Sequence, residues 1–492
     1  MGARHLAVWF TVSGLVACGG GTSGGVDADG TPDGAGPTGL AFRAPTAAST
    51  ALGSTVVDLD AGATIETAEV LVTGETTPRC TFAARPFVCL IDLSTVPAGA
   101  FSLSARGLVG GTEVATASVV LERRAFATDA CAAGTPTECI AALVAASRAA
   151  GYAGLSYHDM DNGHANYNTS AMPGIEAQVN QAYVGTDPWH SDPARILVAN
   201  QSQAYSFGDG WASIPRNGSI AQIGTLWEQS KLFLWPEHRD HGLVDYYAWQ
   251  TPTMVLSQGS SGSELDEVGK LLHLLAALPA DVRAALHTAN QLMPAIAMLH
   301  RRARVATDLD YLTPPPHAPA VTDADVAREG IQLAASIRPD ELPPVAKLTV
   351  ETATIPADWA TAGFVQQEIG AFAMTWSSSA LPAVAPPGTL SVIVDLAPAS
   401  TDPGSRPLYF FARVVRGDPA RLRVTQLAPS RFQIEAEWPE LYAEMVNGHE
   451  RSSRRATVAF VAHNGLWLSA PAFLSVFGGN PLEHAPDANN LD

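Results

Sequence analysis

Three short stretches carry the side chains that could do chemistry. The first is His158-Asp159-Met160-Asp161-Asn162-Gly163-His164, which follows a small apolar run from Ala153 to Tyr157. Carboxylate oxygens and imidazole nitrogens crowded into a glycine-containing loop suit a divalent cation. Asp159, Asp161 and His164 are its ligand candidates. Asp159, Asp161 and Gly163 copy the opening of a calcium loop, but Ser170 stands at the twelfth position, where an EF-hand needs an acidic ligand. The zinc-protease spacing H-E-x-x-H is also absent. The second stretch is Glu237-His238-Arg239-Asp240-His241, after the apolar Leu232-Phe233-Leu234-Trp235. Glu237 and His241 would extend the metal set, and His238 and Asp240 suit acid–base work. The third is Ser257-Gln258-Gly259-Ser260-Ser261-Gly262-Ser263. Ser260 or Ser261, with His238 or His158 as base and Asp240 or Asp161 as orienter, would make a Ser-His-Asp arrangement. The G-x-S-x-G elbow is incomplete, and no Gly-Lys-Ser/Thr follows to make a phosphate loop.

Each stretch also has a plain reading. His and Asp in loops usually cap turns and bond backbone groups. A Gly/Ser turn between strand and helix often serves only to cap the helix. The three become one site only if the fold brings them together.

The elements that must position them are legible in outline. Met254-Val255-Leu256 reads as a buried strand, and the helix after it carries an apolar face of Leu271, Leu272, Leu274, Leu275 and Leu278. Ser263, with Asp266 three residues on, is its N-cap candidate. The N–H groups at such a helix start favour an anion or oxyanion. Ile196 to Ala199 reads as a strand, and Ile140 to Ala150, Ile220 to Phe233 and Ala324 to Ile337 as helices. Two helices punctuated by Pro279 and Pro294 fill the stretch up to Ala303, with Arg301, Arg302 and Arg304 at a helix end, where cations favour the macrodipole. Trp189, Trp211, Trp227, Trp235 and Trp249 could line a sugar groove, though clustered tryptophans more often fill a core.

Residues 125–342 thus form a central mixed α/β domain. Residues 39–124 are all β, with alternation at Thr55 to Leu59, Phe101 to Ala105 and Val114 to Leu121. Residues 343–478 are β again, with strands expected at Leu390–Leu396, Leu408–Val415, Leu422–Gln426, Phe432–Ala436 and Ala456–Ala462. Ile91-Asp92-Leu93 with Val96-Pro97-Ala98-Gly99 resembles bacterial immunoglobulin-like modules. Ser400-Thr401-Asp402-Pro403-Gly404 with Pro407-Leu408-Tyr409 resembles a PKD-type sandwich. The fold class is therefore multidomain: an Ig-like β-sandwich, a central α/β domain and a C-terminal β-sandwich. Residues 479–492 are a polar tail.

The beginning of the chain carries an address. Arg4 and His5 precede an apolar run from Leu6 to Val16, the pattern of a signal peptide at 1–17. Leu15-Val16-Ala17-Cys18 resembles the lipobox of bacterial lipoproteins, which implies lipidation of Cys18 and a membrane anchor. Residues 18–38 are then a Gly-rich tether, and Gly19 after the cysteine hints at the outer membrane. Lipidation also accounts for an odd cysteine among five, leaving the local pairs Cys80–Cys89 and Cys131–Cys139 for disulfides.

Hydrophobic residues make up 47% of the 492 and charged residues only 16%, which fits folded domains. The net charge of −19 argues against nucleic acid as a partner. His158-Asp159 to His164, Pro236 to Asp240, Ser257 to Ser263, Val461-Ala462-His463-Asn464-Gly465 and Ser469 to Phe473 together resemble a functionally unassigned group of large exported proteins from environmental bacteria. The expectation is a cell-surface lipoprotein that binds an extracellular glycan or protein. The alternative is a surface hydrolase acting on an extracellular polymer through the three loops, with a divalent metal as the candidate cofactor.

Overall fold

The structure, a computed structural model, describes residues 39–127, 135–149, 154–159, 167–172, 174–179, 192–200, 220–237, 254–258, 265–303, 305–313, 323–369, 371–378, 382–446 and 449–478. It is β-rich, with several sheets. The chain divides into two compact units. The smaller comprises 1–49, 57–91 and 101–121, and the larger the remainder. No described helix is long and apolar enough to cross a membrane.

The smaller unit is sandwich-like. Leu40–Ala44 pairs antiparallel with the strand Ser54–Ala61, and Thr67–Val72 lies between Cys80–Phe82 and Gly99–Val109. Alternation drives this packing: Ala68, Val70 and Val72 turn inward, while Thr67, Glu69 and Leu71 sit at the partly covered face. A disulfide joins Cys80 to Cys89, as expected, and fits an oxidising compartment. Cys139 is disulfide-bonded as well. Cys131, its expected partner, and Cys18 lie outside the described residues.

The larger unit holds a five-stranded parallel sheet in the spatial order Glu176–Val179, Leu155–Asp159, Ile196–Asn200, Lys231–Glu237, Met254–Gln258. Parallel sheets are covered on both faces, and the central strand Ile196–Asn200 is apolar up to its last residue. Leu197, Val198 and Ala199 have no solvent exposure. The helix Leu265–Ala277 is buried nearly all round, as its leucines require, and packs against helices Pro136–Ala149, Leu292–Arg302 and Asp323–Ser336.

Several boundaries differ from expectation for local reasons. The helix expected over Ile220 to Phe233 stops at Glu228. Ser230 takes a left-handed φ of 63°, and the next residues become the strand Lys231–Glu237. Three helices, not two, occupy the stretch to Ala303: Leu265–Ala277, Ala280–Thr288 and Leu292–Arg302. Pro294 lies inside the first turn of the third, where a missing N–H leaves no bond unmade. The helix expected from Ile140 starts at Pro136. Thr135 Oγ1 accepts the amide of Glu138, whose carboxylate accepts the amide of Thr135, a capping box with proline at the first helical position.

Beyond Leu342 two sheets face each other. One is antiparallel, in the order Thr349–Thr354, Thr389–Asp395, Arg431–Glu437, Leu422–Gln426. The other is mixed, in the order Val365–Ile369, Ala373–Ser378, Ala472–Gly478, Arg455–His463, Tyr409–Arg416. Leu390, Val392 and Ile434 of the first meet Trp376, Phe460 and Leu474 of the second in one core.

The buried Leu265–Ala277 helix yields a direct test. Leu275→Ala is expected to destabilise the larger unit by about 2–5 kcal/mol, read as a lowered urea midpoint. A change below about 0.5 kcal/mol would place this helix at the surface.

Candidate functional site

The chemistry-bearing loops are positioned by strand direction. In register, Asp159 lies opposite Asn200, Asn200 opposite Leu234, and Leu234 opposite Val255. Because all the strands run the same way, the chain leaves the sheet at 159, 200, 237 and 258 on a single edge. Neighbouring strands are about 4.8 Å apart. Asp159 and Leu234, two strands apart and level, are therefore about 10 Å from each other, and the exit at 237 lies three residues further along, about 14 Å from that at 159. The strand order also reverses here. From Leu155–Asp159 the chain moves to one side for Glu176–Val179, then to the other for Ile196–Asn200 and beyond. Ligands of open parallel sheets bind at such a switch point, beyond the carboxyl ends of the strands. His158 and Asp159 end the strand at that point, and neither has any solvent exposure.

The sequence-predicted residues fall as follows. His158 and Asp159 are adjacent on the strand and so leave its opposite faces. Glu237 and Gln258 end neighbouring strands and pair in register. Asp161, His164, His238, Asp240, His241, Ser260 and Ser261 lie outside the described residues, as does the N-cap candidate Ser263. The fold brings the exits that lead into all three loops to one edge. Among the described residues no group of three or more His, Cys, Asp or Glu side chains is placed to hold a metal.

A second feature fastens the first loop. The hydroxyl of Tyr157 accepts the backbone N–H of Tyr167 at 3.2 Å, and the two rings meet edge to face at 6.0 Å. Tyr167 also lies against Gly269, where an added Cβ would sit 3.3 Å from its ring. Tyr167 is thereby held between the strand Leu155–Asp159 and the helix Leu265–Ala277. Early in that helix Glu267 accepts from Lys270 at 2.8 Å and lies 2.6 Å from Nε2 of His300, all three side chains buried. The i,i+3 spacing of Glu267 and Lys270 was readable, but the approach of His300 from another helix was not.

The opposite edge is closed by a different device. The ammonium of Lys231, which is 1% exposed, donates to the carbonyls of Asp192 and Gln229 at 2.8 Å each and to that of Arg195. Burial lowers its pKa to about 8. Beside it Ser230 Oγ lies 2.7 Å from Nδ1 of His287. Burial and then the Lys231 charge hold His287 below the usual imidazole range. This serine–histidine contact is half-buried at the strand starts, on the edge opposite the loop exits.

Arg301 and Arg302 lie in the last turn of their helix, as expected, and both are buried. Arg302 Nε donates to Asp308, and the Arg301 guanidinium lies 5.3 Å from the Phe473 ring centre. Trp227 is buried edge-on to Phe372 at 6.3 Å and belongs to the packing. Arg304, Trp189, Trp211 and Trp249, and the Trp235 side chain, lie outside the described residues.

No family model matches the sequence, and no curated protein matches it. Among solved structures, the chain is similar to fibronectin(III)-like modules of Clostridium thermocellum CbhA, with 12% identity, 17% of this chain and 93% of that chain covered, and a TM-score of 0.15. It is similar to a Jonesia denitrificans lytic polysaccharide monooxygenase, with 18% identity, coverage of 16% and 60%, and a TM-score of 0.13. It is also similar to a nucleoside hydrolase-related hypothetical protein from Saccharophagus degradans associated with carbohydrate metabolism, with 9% identity, coverage of 58% and 72%, and a TM-score of 0.19. Scores this low carry no argument about function.

Lys231 predicts a pH effect with a definite sign. The unfolded lysine keeps its proton to about 10.4, whereas the folded one loses it near 8. The unfolded state binds more protons in between, so stability rises with pH across that window, by up to about 3 kcal/mol. Urea midpoints of wild type and Lys231→Met compared at pH 8 and 10.5 are expected to show this rise only in the wild type. Parallel curves would contradict the assignment.

Proposed function

We propose that the protein is an exported, lipid-anchored hydrolase acting on an uncharged polar polymer outside the cell, a glycan by chemical class. Its site lies at the carboxyl edge of the parallel sheet. The observation that supports this is the level register of the strands, which directs the 158–164, 237–241 and 257–263 loops from one edge around a topological switch point. Carboxylates and imidazoles drawn from separate loops are what hydrolysis of an unactivated bond needs. They hold a divalent cation, or they divide the acid and base roles. In this reading Asp159, Asp161 and His164, with Glu237 and His241, form the cation-binding side. His238 and Asp240 move the proton, and Ser260 and Ser261 bind or attack. The net charge of −19 favours a neutral substrate over a polyanion.

The address belongs to the same proposal. A lipidated Cys18 with a tether to residue 38 would hold the folded units at the outer membrane, and the Cys80–Cys89 disulfide fits such an oxidising location. The second reading, a non-catalytic glycan- or protein-binding lipoprotein, draws support from the β-sandwiches, which supply sheet faces without catalytic groups.

The test uses residues 19–492, purified without a His-tag and offered neutral polysaccharides with and without a chelator. The expected result is reducing-end release that falls at least 100-fold in Asp159→Asn and His238→Ala while the thermal midpoint stays put. Retention of the same glycan without cleavage would favour the binding reading. Neither cleavage nor retention would remove glycans as the target.

A further inference from the structure

The phrase Val461-Ala462-His463-Asn464-Gly465 is not used by the site above, and its histidine sits in a buried chain of hydrogen bonds whose direction is fixed. The amide of Gly465 donates to Nδ1 of His463 at 2.9 Å. That nitrogen therefore carries no proton, and the ring proton sits on Nε2. Nε2 lies 3.1 Å from Ser54 Oγ and donates to it. The Ser54 hydroxyl in turn donates to Asp308 Oδ2 at 2.6 Å. Asp308 Oδ1 accepts from Arg302 Nε. Ser54 and His463 have no solvent exposure, and Asp308 has 8%.

Three elements of the larger unit meet here: the segment Thr50–Val56, the short helix Asp308–Tyr311 and the turn after the strand Arg455–His463. Gly53 permits the approach, since a Cβ there would stand 2.9 Å from Asp308 Oδ2. The set contains serine, histidine and aspartate, yet it runs opposite to a hydrolytic triad. The imidazole gives a proton to the serine oxygen instead of taking one, and the serine proton is already spent on a carboxylate.

We propose that this chain is an acid-sensitive latch, which fastens Thr50–Val56 to the Asp308 helix and the 463–469 turn and lets go when His463 takes up a proton. The only position open to that proton is Nδ1. It would face the Gly465 N–H, so two donors would point at each other at a side chain with no solvent exposure. The turn or the Ser54 contact must then break. Complete burial, opposed by Asp308, already lowers the His463 pKa to about 4.

Among the described residues, the other charged and titratable groups around it are few. Arg302 balances Asp308, with Glu329 3.7 Å from Arg302. Asn464 links the turn to Asp402 at 2.6 Å. Tyr409 pairs with His463 in register, and Tyr311 donates to the Ser469 carbonyl. The sign follows. An unfolded histidine binds its proton near 6.5, so the latched state loses stability as pH falls from about 6.5 to about 4.

The test is amide hydrogen exchange of residues 52–56 in the full folded chain, corrected for intrinsic rates, at pH 7 and pH 4. His463→Gln is the comparison, since glutamine can accept from Gly465 and donate to Ser54 without titrating. Wild-type protection is expected to fall at least tenfold at pH 4, and that of His463→Gln by less than threefold. Unchanged wild-type protection would overturn the latch. An equal loss in His463→Gln would also overturn it, because a carboxylate would then be responsible. If His463→Gln fails to fold, nitrogen chemical shifts of the wild-type imidazole decide. A ring protonated on Nε2 down to about pH 5 supports the latch, and protonation near 6.5 overturns it.

Discussion

Parallel strands cannot be joined by a tight turn. Each return to the starting edge takes a crossover, so every forward exit falls on the same side of the sheet. That constraint organises the larger unit. It puts the exits after Asp159, Asn200, Glu237 and Gln258 in one row, although 99 residues of chain separate the first from the last. It also demands two covered faces, which the buried leucines of Leu265–Ala277 and its neighbouring helices help to supply. The same rule leaves the opposite edge free of functional demands. There Lys231 spends all three donors on backbone carbonyls.

Several buried or half-buried charges are paired. Lys270 and His300 flank Glu267, Arg302 meets Asp308, and Arg124 pairs with Glu341. Burying an ion without a partner costs several kcal/mol, so these groups persist because each has a counter-charge on a rigid element. Such pairs add little net stability compared with apolar replacements, but breaking one is costly. They fix which helix faces which.

Much of this organisation could be read from the chain. Runs such as Ile196–Asn200 and Met254–Gln258 are short, apolar and bounded, and the leucine-rich helix announces itself by its spacing. The strands expected beyond residue 388 lie within a residue or two of those found, because alternation against one core is a strong signal. What escaped reading was non-local or carried by single residues. Ser230 ends a helix through a left-handed backbone that no periodicity reveals. Thr349–Thr354 is an exposed edge strand and so shows no apolar face. Arg301 and Arg302 look like surface cations until Phe473 and Asp308, distant in sequence, cover them. At the candidate site the residue types were visible and their separations were not, since strand order is set by packing of the whole unit.

The central claim is that the three polar loops share one edge. It is tested most directly by pulsed dipolar distances between nitroxides on the soluble chain. One pair joins Asn162→Cys to Arg239→Cys. The second joins Asn162→Cys to Gln229→Cys at the far edge. Strand spacing and rise place the first pair under about 25 Å, labels included, and the second about 15–20 Å farther apart. Equal distances for the two pairs, or a longer one for the first, would contradict a shared edge and the site built on it.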